Sequence, residues 1–220
     1  MNIESNLKAI QSSIFDQCKI NNRNIKEIEI TAVSKKQSVE KIDVILNKGH
    51  KVFGENTVQE CKKKWPLLKE KYPNIRLHLI GKLQTNKVKD ALKIFDVIET
   101  LDNEKLAKAL SKEELKTGKK LKYFIQVNTG NEPQKNGILI KDAKEFLNFT
   151  RINHKLNIVG LMCIPPKDDE PSLHFSLLAD LGKRLNLTKF SMGMSKDYKI
   201  ALDFGSTNIR IGESIFGPRI

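Results

Sequence analysis

Short apolar, β-prone stretches alternate with helix-forming segments along nearly the whole chain, and this rhythm leaves few folds open to it. The strands expected are Ile28–Val33, Lys51–Phe53, Ile75–Ile80, Asp96–Glu99, Leu121–Val127, Ile158–Met162, Lys189–Met192 and Thr207–Ile211. Helical spacing falls between them, over Ser38 to Gly49, Asn56 to about Lys71, Asn86–Lys93, Asn103–Lys116, Lys141–Ile152, Ser172–Leu185 and Ser195–Leu202. Strands and helices in such alternation make right-handed βαβ units around a parallel sheet. Eight units close into a (β/α)8 barrel of the TIM type, and 220 residues is near the short end for one. Ahead of the first strand, Ile3, Leu7, Ile10, Ile14 and Cys18 recur at helical spacing, which predicts an extra N-terminal helix. No linker or low-complexity stretch interrupts the pattern, so residues 1–220 read as one α/β domain. A doubly wound open sheet is the alternative, but no G-x-G-x-x-G follows the first strand.

In such barrels the chemistry gathers at the C-terminal ends of the strands, and phosphate is often held after strands seven and eight. The segments Ser191–Ser195 and Arg210–Glu213 are expected at those two ends. Arg210 on a short strand, with Gly212 two residues on, sets a fixed cation beside backbone that a ligand can approach closely. Small hydroxyls and exposed amides there form an anion cradle. The plainer alternative is that Arg210 pairs with a carboxylate and the glycines serve tight turns. The first strand ends in Ala32-Val33-Ser34-Lys35, which brings a lysine to the same mouth. Such a lysine can form a Schiff base with a phosphorylated aldehyde. Lys36 is its neighbour, and alternation turns one of the two inward without saying which.

Composition narrows the partners. Net charge is +13, and residues 61–93 carry ten Lys/Arg against two Asp/Glu. Without interleaved aromatics that stretch reads as a solvated helix face rather than a nucleic-acid surface. No apolar run approaches the roughly 18 residues of a membrane span, and the N-terminus lacks the order of a secretion signal, so the chain reads as cytoplasmic. Cys18, Cys61 and Cys163 are odd in number and widely spaced, as reduced thiols are. The four histidines show no metal-ligand spacing with them.

Several motifs together carry a resemblance. AVSK at 32–35, FGENTVQE at 53–60, HLIGKLQTNK at 78–87, IQVN at 125–128, GLMCIPP at 160–166, SMGMS at 191–195, GSTNIRIG at 205–212 and IFGPR at 215–219 resemble the YggS/PROSC family. These are pyridoxal 5′-phosphate-binding homeostasis proteins, similar in fold to the barrel domain of bacterial alanine racemases. The resemblance implies pyridoxal phosphate carried as an aldimine on Lys35, with Arg210 facing the pyridine nitrogen. It implies phosphate held by hydroxyls of Ser195, Ser206 or Thr207 and by the amides of Gly212 and Glu213. Asn56, in the turn after the second strand, is placed to reach the ring. Apo pyridoxal-phosphate enzymes are the partners it implies.

Departures from the racemases point the same way. Where they set a histidine beside the ring, GLMCIPP has Ile164, and the tyrosine they draw from a second domain is expected to be missing here. Two-base racemisation then lacks an arm. Thr57 stands where an aromatic or large residue is common in the family that the chain resembles. For the 84–87 loop the plain expectation is helix capping by Thr85 or Asn86, with Lys87 a candidate second exchange lysine. The reading is a homeostasis protein that buffers or delivers the cofactor; a low-activity racemase or lyase is the alternative.

Overall fold

The computed structural model describes residues 2–218. Helix α1 (Ile3–Ile20) precedes β1 (Glu29–Val33), α2 (Val39–Asn47), β2 (Val52–Glu55), α3 (Val58–Lys71), β3 (Arg76–Leu79) and α4 (Val88–Ile94). There follow β4 (Val97–Leu101), α5 (Glu104–Thr117), β5 (Lys122–Asn128), the two-residue β6 (Ile138–Leu139), α6 (Ala143–Asn148) and β7 (Ile158–Met162). Helix α7 (Pro171–Arg184), β8 (Lys189–Ser191), α8 (Tyr198–Asp203), β9 (Asn208–Ile211) and α9 (Glu213–Phe216) complete it.

The sheet is parallel throughout and closes on itself. Its order is β4-β3-β2-β1-β9-β8-β7-β5, and a β4–β5 pairing joins the ends. The last strand meets the first in register, Ile30 beside Ile209 and Ala32 beside Ile211. This is the expected eight-stranded barrel with an added N-terminal helix; β6 is a short appendage on β5. Helix α1 buries Leu7, Ile10, Ile14 and Cys18, each large aliphatic one contributing about 1.5–3 kcal/mol. Its Asn6 Nδ2 donates to Ile215 O at 3.0 Å, which fastens α1 over α9 beside the β1–β9 seam.

The apolar core lies between the strands and the helices, where Phe53, Trp65, Leu77, Phe95 and Tyr123 are fully buried. Inside the barrel the filling is polar. Thr31, His78, Glu99, Ser191, Asn208 and Arg210 reach inward from β1, β3, β4, β8 and β9, and Val97, Phe124 and Met162, with Val159 packed against them, form a small apolar patch. All three cysteines are buried free thiols. Of the basic stretch, Lys62, Lys69, Lys71 and Arg76 pair with Asp90, Asp96, Asp43 and Glu29, and Lys64 with Glu55 and Glu60. No helix among the described residues is long and apolar enough to cross a membrane.

Several boundaries differ from the sequence reading. Strand β2 runs on through Glu55, because that side chain is buried and bonded. Neither Thr85 nor Asn86 caps a helix; residues 85–87 form a 3₁₀ turn whose preceding Gln84 makes no side-chain cap. The helix expected over 141–152 is a 3₁₀ turn, then α6, then a π-helical turn over Phe149–Asn153. There Thr150 Oγ1 donates back to Phe146 O at 2.9 Å and so stabilises the widened turn. The last helix expected, 195–202, begins only at Tyr198 and leaves Ser195 in a loop.

Candidate functional site

A cavity of about 620 Å³ opens at the C-terminal ends of the strands. Lys35, Asn56, Ser195, Arg210, Gly212 and Glu213 all line it. Arg210 stands on β9 and the others follow β1, β2, β8 and β9, which lie side by side in the closed sheet. Ile80, Ile164 and Met194 supply apolar wall.

The lysine is presented by its clamped neighbours. Ser34 Oγ donates to Glu55 Oε1 at 2.7 Å, and Lys64 Nζ donates to Ser34 O at 2.9 Å. On the other side the Lys36 amide donates to Glu60 Oε1 at 2.5 Å, with Lys36 at φ +60°. Lys36 thereby turns to solvent while Lys35 lines the cavity. The clamp is built on the start of α3, where Thr57 accepts from the Glu60 amide at 3.3 Å. Thr57, unusual beside the family pattern, thus serves as an N-cap. Glu55 lies at the centre, fully buried between Ser34, Lys64 and Trp65 Nε1, which donates to it at 3.0 Å. Burial pushes its carboxyl above the usual range, against the opposing charge of Lys64.

Arg210 is 3 % exposed and is held from below. Its Nη1 donates to Ser191 Oγ at 2.5 Å and its Nη2 to Cys163 O at 2.8 Å. Glu99 Oε2 lies 3.9 Å from Nη1, so the arginine both pairs with a carboxylate and lines the mouth. Glu99 is the hub of the barrel interior. It accepts from Ser191 Oγ at 2.5 Å and Asn208 Nδ2 at 2.7 Å, and His78 Nδ1 sits 2.6 Å away. Burial alone pushes its carboxyl up, but His78, Arg210 and Ser191 outweigh that and hold it below the usual glutamate range. An ionised Glu99 needs a proton on Nδ1, which fixes the His78 tautomer. Burial raises the Cys163 thiol to about 12, so only its carbonyl serves the site.

The side of the mouth where the sequence places an anion cradle is made by Ser195 and the Gly212–Ser214 turn. Ser195 Oγ accepts from the Ser214 amide at 3.4 Å, which sets the hydroxyl against the start of α9. The first amides of a helix have no partner within it. Gly212 has φ −112°, open to any residue, and a Cβ there would meet only Val33 at 3.4 Å. Nothing in the chain itself requires a glycine at this point, and without a side chain there the backbone is open to close approach from the cavity.

Two expected members of the cradle lie elsewhere. Ser206 and Thr207 precede β9, and in a parallel barrel residues before a strand sit at the opposite end from those after it. Ser206 Oγ donates to Met192 O at 2.7 Å in full burial, and Thr207 Oγ1 accepts from the Phe190 amide at 2.8 Å. Neither lines the mouth, and nor does Lys87. The sequence reading also missed the clamp of Glu55, Glu60 and Lys64. Its signals were the Thr57-x-x-Glu60 capping box and the Glu60–Lys64 spacing of one helical turn.

An amine, a fixed guanidinium, a hydroxyl, open amides and an uncrowded glycine suit an anion that carries an electrophilic carbonyl. Comparison with known proteins identifies the relatives. Residues 6–219 match the family model described as alanine racemase, N-terminal domain. The pyridoxal phosphate homeostasis protein of Buchnera aphidicola is 38% identical over 228 residues, spanning 100% of this chain and 99% of its own. That of Haemophilus influenzae is 34% identical over 100% of this chain and 97% of its own. The chain belongs to the pyridoxal phosphate homeostasis protein family.

Among solved structures, PipY of Synechococcus elongatus, with PLP bound, superimposes with a TM-score of 0.85 at 30% identity, over 98% of this chain and 100% of PipY. The alanine racemase of Clostridium difficile 630 matches with a TM-score of 0.71 at 11% identity, over 93% of this chain and 55% of the racemase. That likeness is one of fold. The homeostasis family and the racemases therefore share a barrel, and the mouth described above lies where such barrels do their chemistry.

Proposed function

We propose that this protein binds pyridoxal 5′-phosphate in the barrel mouth, holds it on Lys35, and keeps it in supply for apo-enzymes without turning over a substrate. The observation that carries the reading is the convergence of Lys35, Ser195, Arg210 and Gly212 on one cavity. PipY, similar over its whole length, is the relative with PLP bound. When bound, the cofactor supplies an aldehyde that condenses reversibly with amines and a ring that withdraws electrons.

The residues do the rest. Ser195 and the amides of Gly212 and Glu213 hold the phosphate. Asn56, which lines the same cavity, orients the ring. A guanidinium offers donors and no acceptor, so a ring nitrogen set against Arg210 stays unprotonated and the ring draws electrons weakly. Ile164 lines the mouth and has no proton to move. With Arg210 pinned by Ser191 and Cys163, the site favours holding over catalysis. Three buried free thiols fit the reducing cytoplasm as the compartment.

The test is borohydride reduction of the protein with pyridoxal phosphate, followed by peptide mass mapping. The expected adduct is on the peptide holding Lys35, and it disappears in Lys35→Ala. An adduct only on Lys36 or Lys87 overturns the assignment. Steady turnover of amino acids by the wild type overturns the non-enzymatic part and favours the racemase or lyase reading.

A further inference from the structure

The opposite end of the barrel holds a second cavity, of about 500 Å³. Its floor is set by where strands begin. The first residues of β3, β5 and β8 are Arg76, Lys122 and Lys189, and all three line it. Lys26 and the rings of His50 and His78 join them. The acidic members are Glu27 and Glu29, and Glu29 is engaged by Arg76. Among the described residues, the ammonium groups of Lys26, Lys122 and Lys189 enter no hydrogen bond or ion pair. Like charges drawn around one opening repel, and an anion between them removes that cost.

A buried group points to the same place. His78 is 1 % exposed, and its Nδ1 is committed to Glu99. Its Nε2 is buried with no hydrogen bond, although Glu29 Oε1 lies within ion-pair reach at 3.3 Å. A buried ring nitrogen left without a bond is costly unless something completes it. The His50 ring is already used, its Nε2 lying 2.8 Å from Val52 O.

We propose that this floor is a second ligand site, taking a small phosphate anion, free or as the end group of a metabolite. Lys26, Lys122 and Lys189 supply charge-assisted donors, and the phosphate brings an oxygen or hydroxyl to His78 Nε2. The site is separate from the mouth: the two cavities share no residue, and the polar interior of the barrel lies between them.

The test follows the His78 ring signals by NMR in the full chain during titration with inorganic phosphate, then with glycerol phosphate. Sodium chloride at matched ionic strength is the control. Wild type is expected to show a saturable His78 shift with phosphate. In Lys122→Ala/Lys189→Ala, both exposed positions, binding is expected to weaken by at least about tenfold. Saturation by both ligands assigns the phosphate group itself; saturation by inorganic phosphate alone assigns the free ion. A shift matched by chloride, no saturation, or equal titration of the double variant overturns the proposal.

Discussion

Ser34 Oγ donates to the buried carboxylate of Glu55 at 2.7 Å, one residue before the lysine that enters the mouth. The bond ties the end of β1 to the end of β2 and leaves Lys35 little freedom of direction. Glu55 is kept in turn by Lys64, at 2.7 Å with its side chain 11 % exposed.

Removing the cation should therefore be expensive. Lys64→Met leaves Glu55 buried without its counter-charge, and losing one partner of a buried pair costs about 3–5 kcal/mol. Urea denaturation is expected to show a loss of that order, and Glu55→Gln added to Lys64→Met to recover most of it. Borohydride fixation at Lys35 should fall in the single variant. A loss below about 1 kcal/mol would mean the clamp is redundant.

Glu55 and Glu99 are expected to respond to pH in opposite directions. Glu99 is held below its usual value of 4.5, so its stabilisation is full above that value and is lost as pH falls through the lowered one. Glu55 is held above 4.5, so its relative stabilisation is full below that value and is lost as pH rises through the raised one. Melting temperatures of wild type, Glu99→Gln and Glu55→Gln across mildly acidic pH read both. The wild-type margin over Glu99→Gln should narrow on acidification, and its margin over Glu55→Gln should widen. Parallel profiles would show that neither carboxyl is shifted.

Hydroxyls at the two ends of the barrel should separate cleanly. Ser195→Ala removes the charge-assisted hydrogen bond proposed to the phosphate, worth about 1.5–3 kcal/mol, so pyridoxal phosphate should bind roughly tenfold to a hundredfold more weakly. Thr207→Ala, at the far end, should leave that affinity unchanged. Equilibrium dialysis of both variants measures it, with pyridoxal as the phosphate-free control. Equal binding of pyridoxal and its phosphate by the wild type would exclude a cradle of Ser195, Gly212 and Glu213.

At the guanidinium, Arg210→Gln should change the spectrum of the loaded protein, because the charge proposed to face the ring is lost. Arg210→Glu sets a second carboxylate beside Glu99, where Nη1 now lies 3.9 Å from Oε2. Two buried carboxylates so close cannot both ionise, so the variant should melt well below wild type and regain stability toward acid pH. Absorption spectra and pH-resolved melting check both. An unchanged spectrum in Arg210→Gln would mean that Arg210 does not face the ring.

Much of this was legible in the sequence. The eight barrel strands and α1 stood out because their periodicities are long and regular. Lys35 and Arg210 stood out because each closes a strand in a recognisable motif. The barrel interior was harder. Thr31, His78, Glu99, Ser191 and Asn208 are scattered polar residues, and their meeting depends on register between strands far apart in the chain. Ser206 and Thr207 were misplaced for a different reason. Hydroxyls beside a glycine look like an anion cradle in one dimension, yet a parallel strand carries its preceding residues to the other end of the molecule. That direction followed from the barrel reading itself. The two-residue β6 and the π-helical turn after α6 rest on tertiary contacts that no local pattern announces.

The closure of the sheet has a consequence for how a bound molecule is kept. Lys35 follows the first strand and Gly212 the last, and those strands zip together from Glu29–Asn208 to Ala32–Ile211. A molecule gripped by both bridges the seam where the ring of strands is sewn shut. Its binding energy is then spent against opening of that seam, and opening the seam sets it loose. Cargo retention and the integrity of the ring become a single equilibrium, so heat or denaturant that parts the two strands also empties the protein.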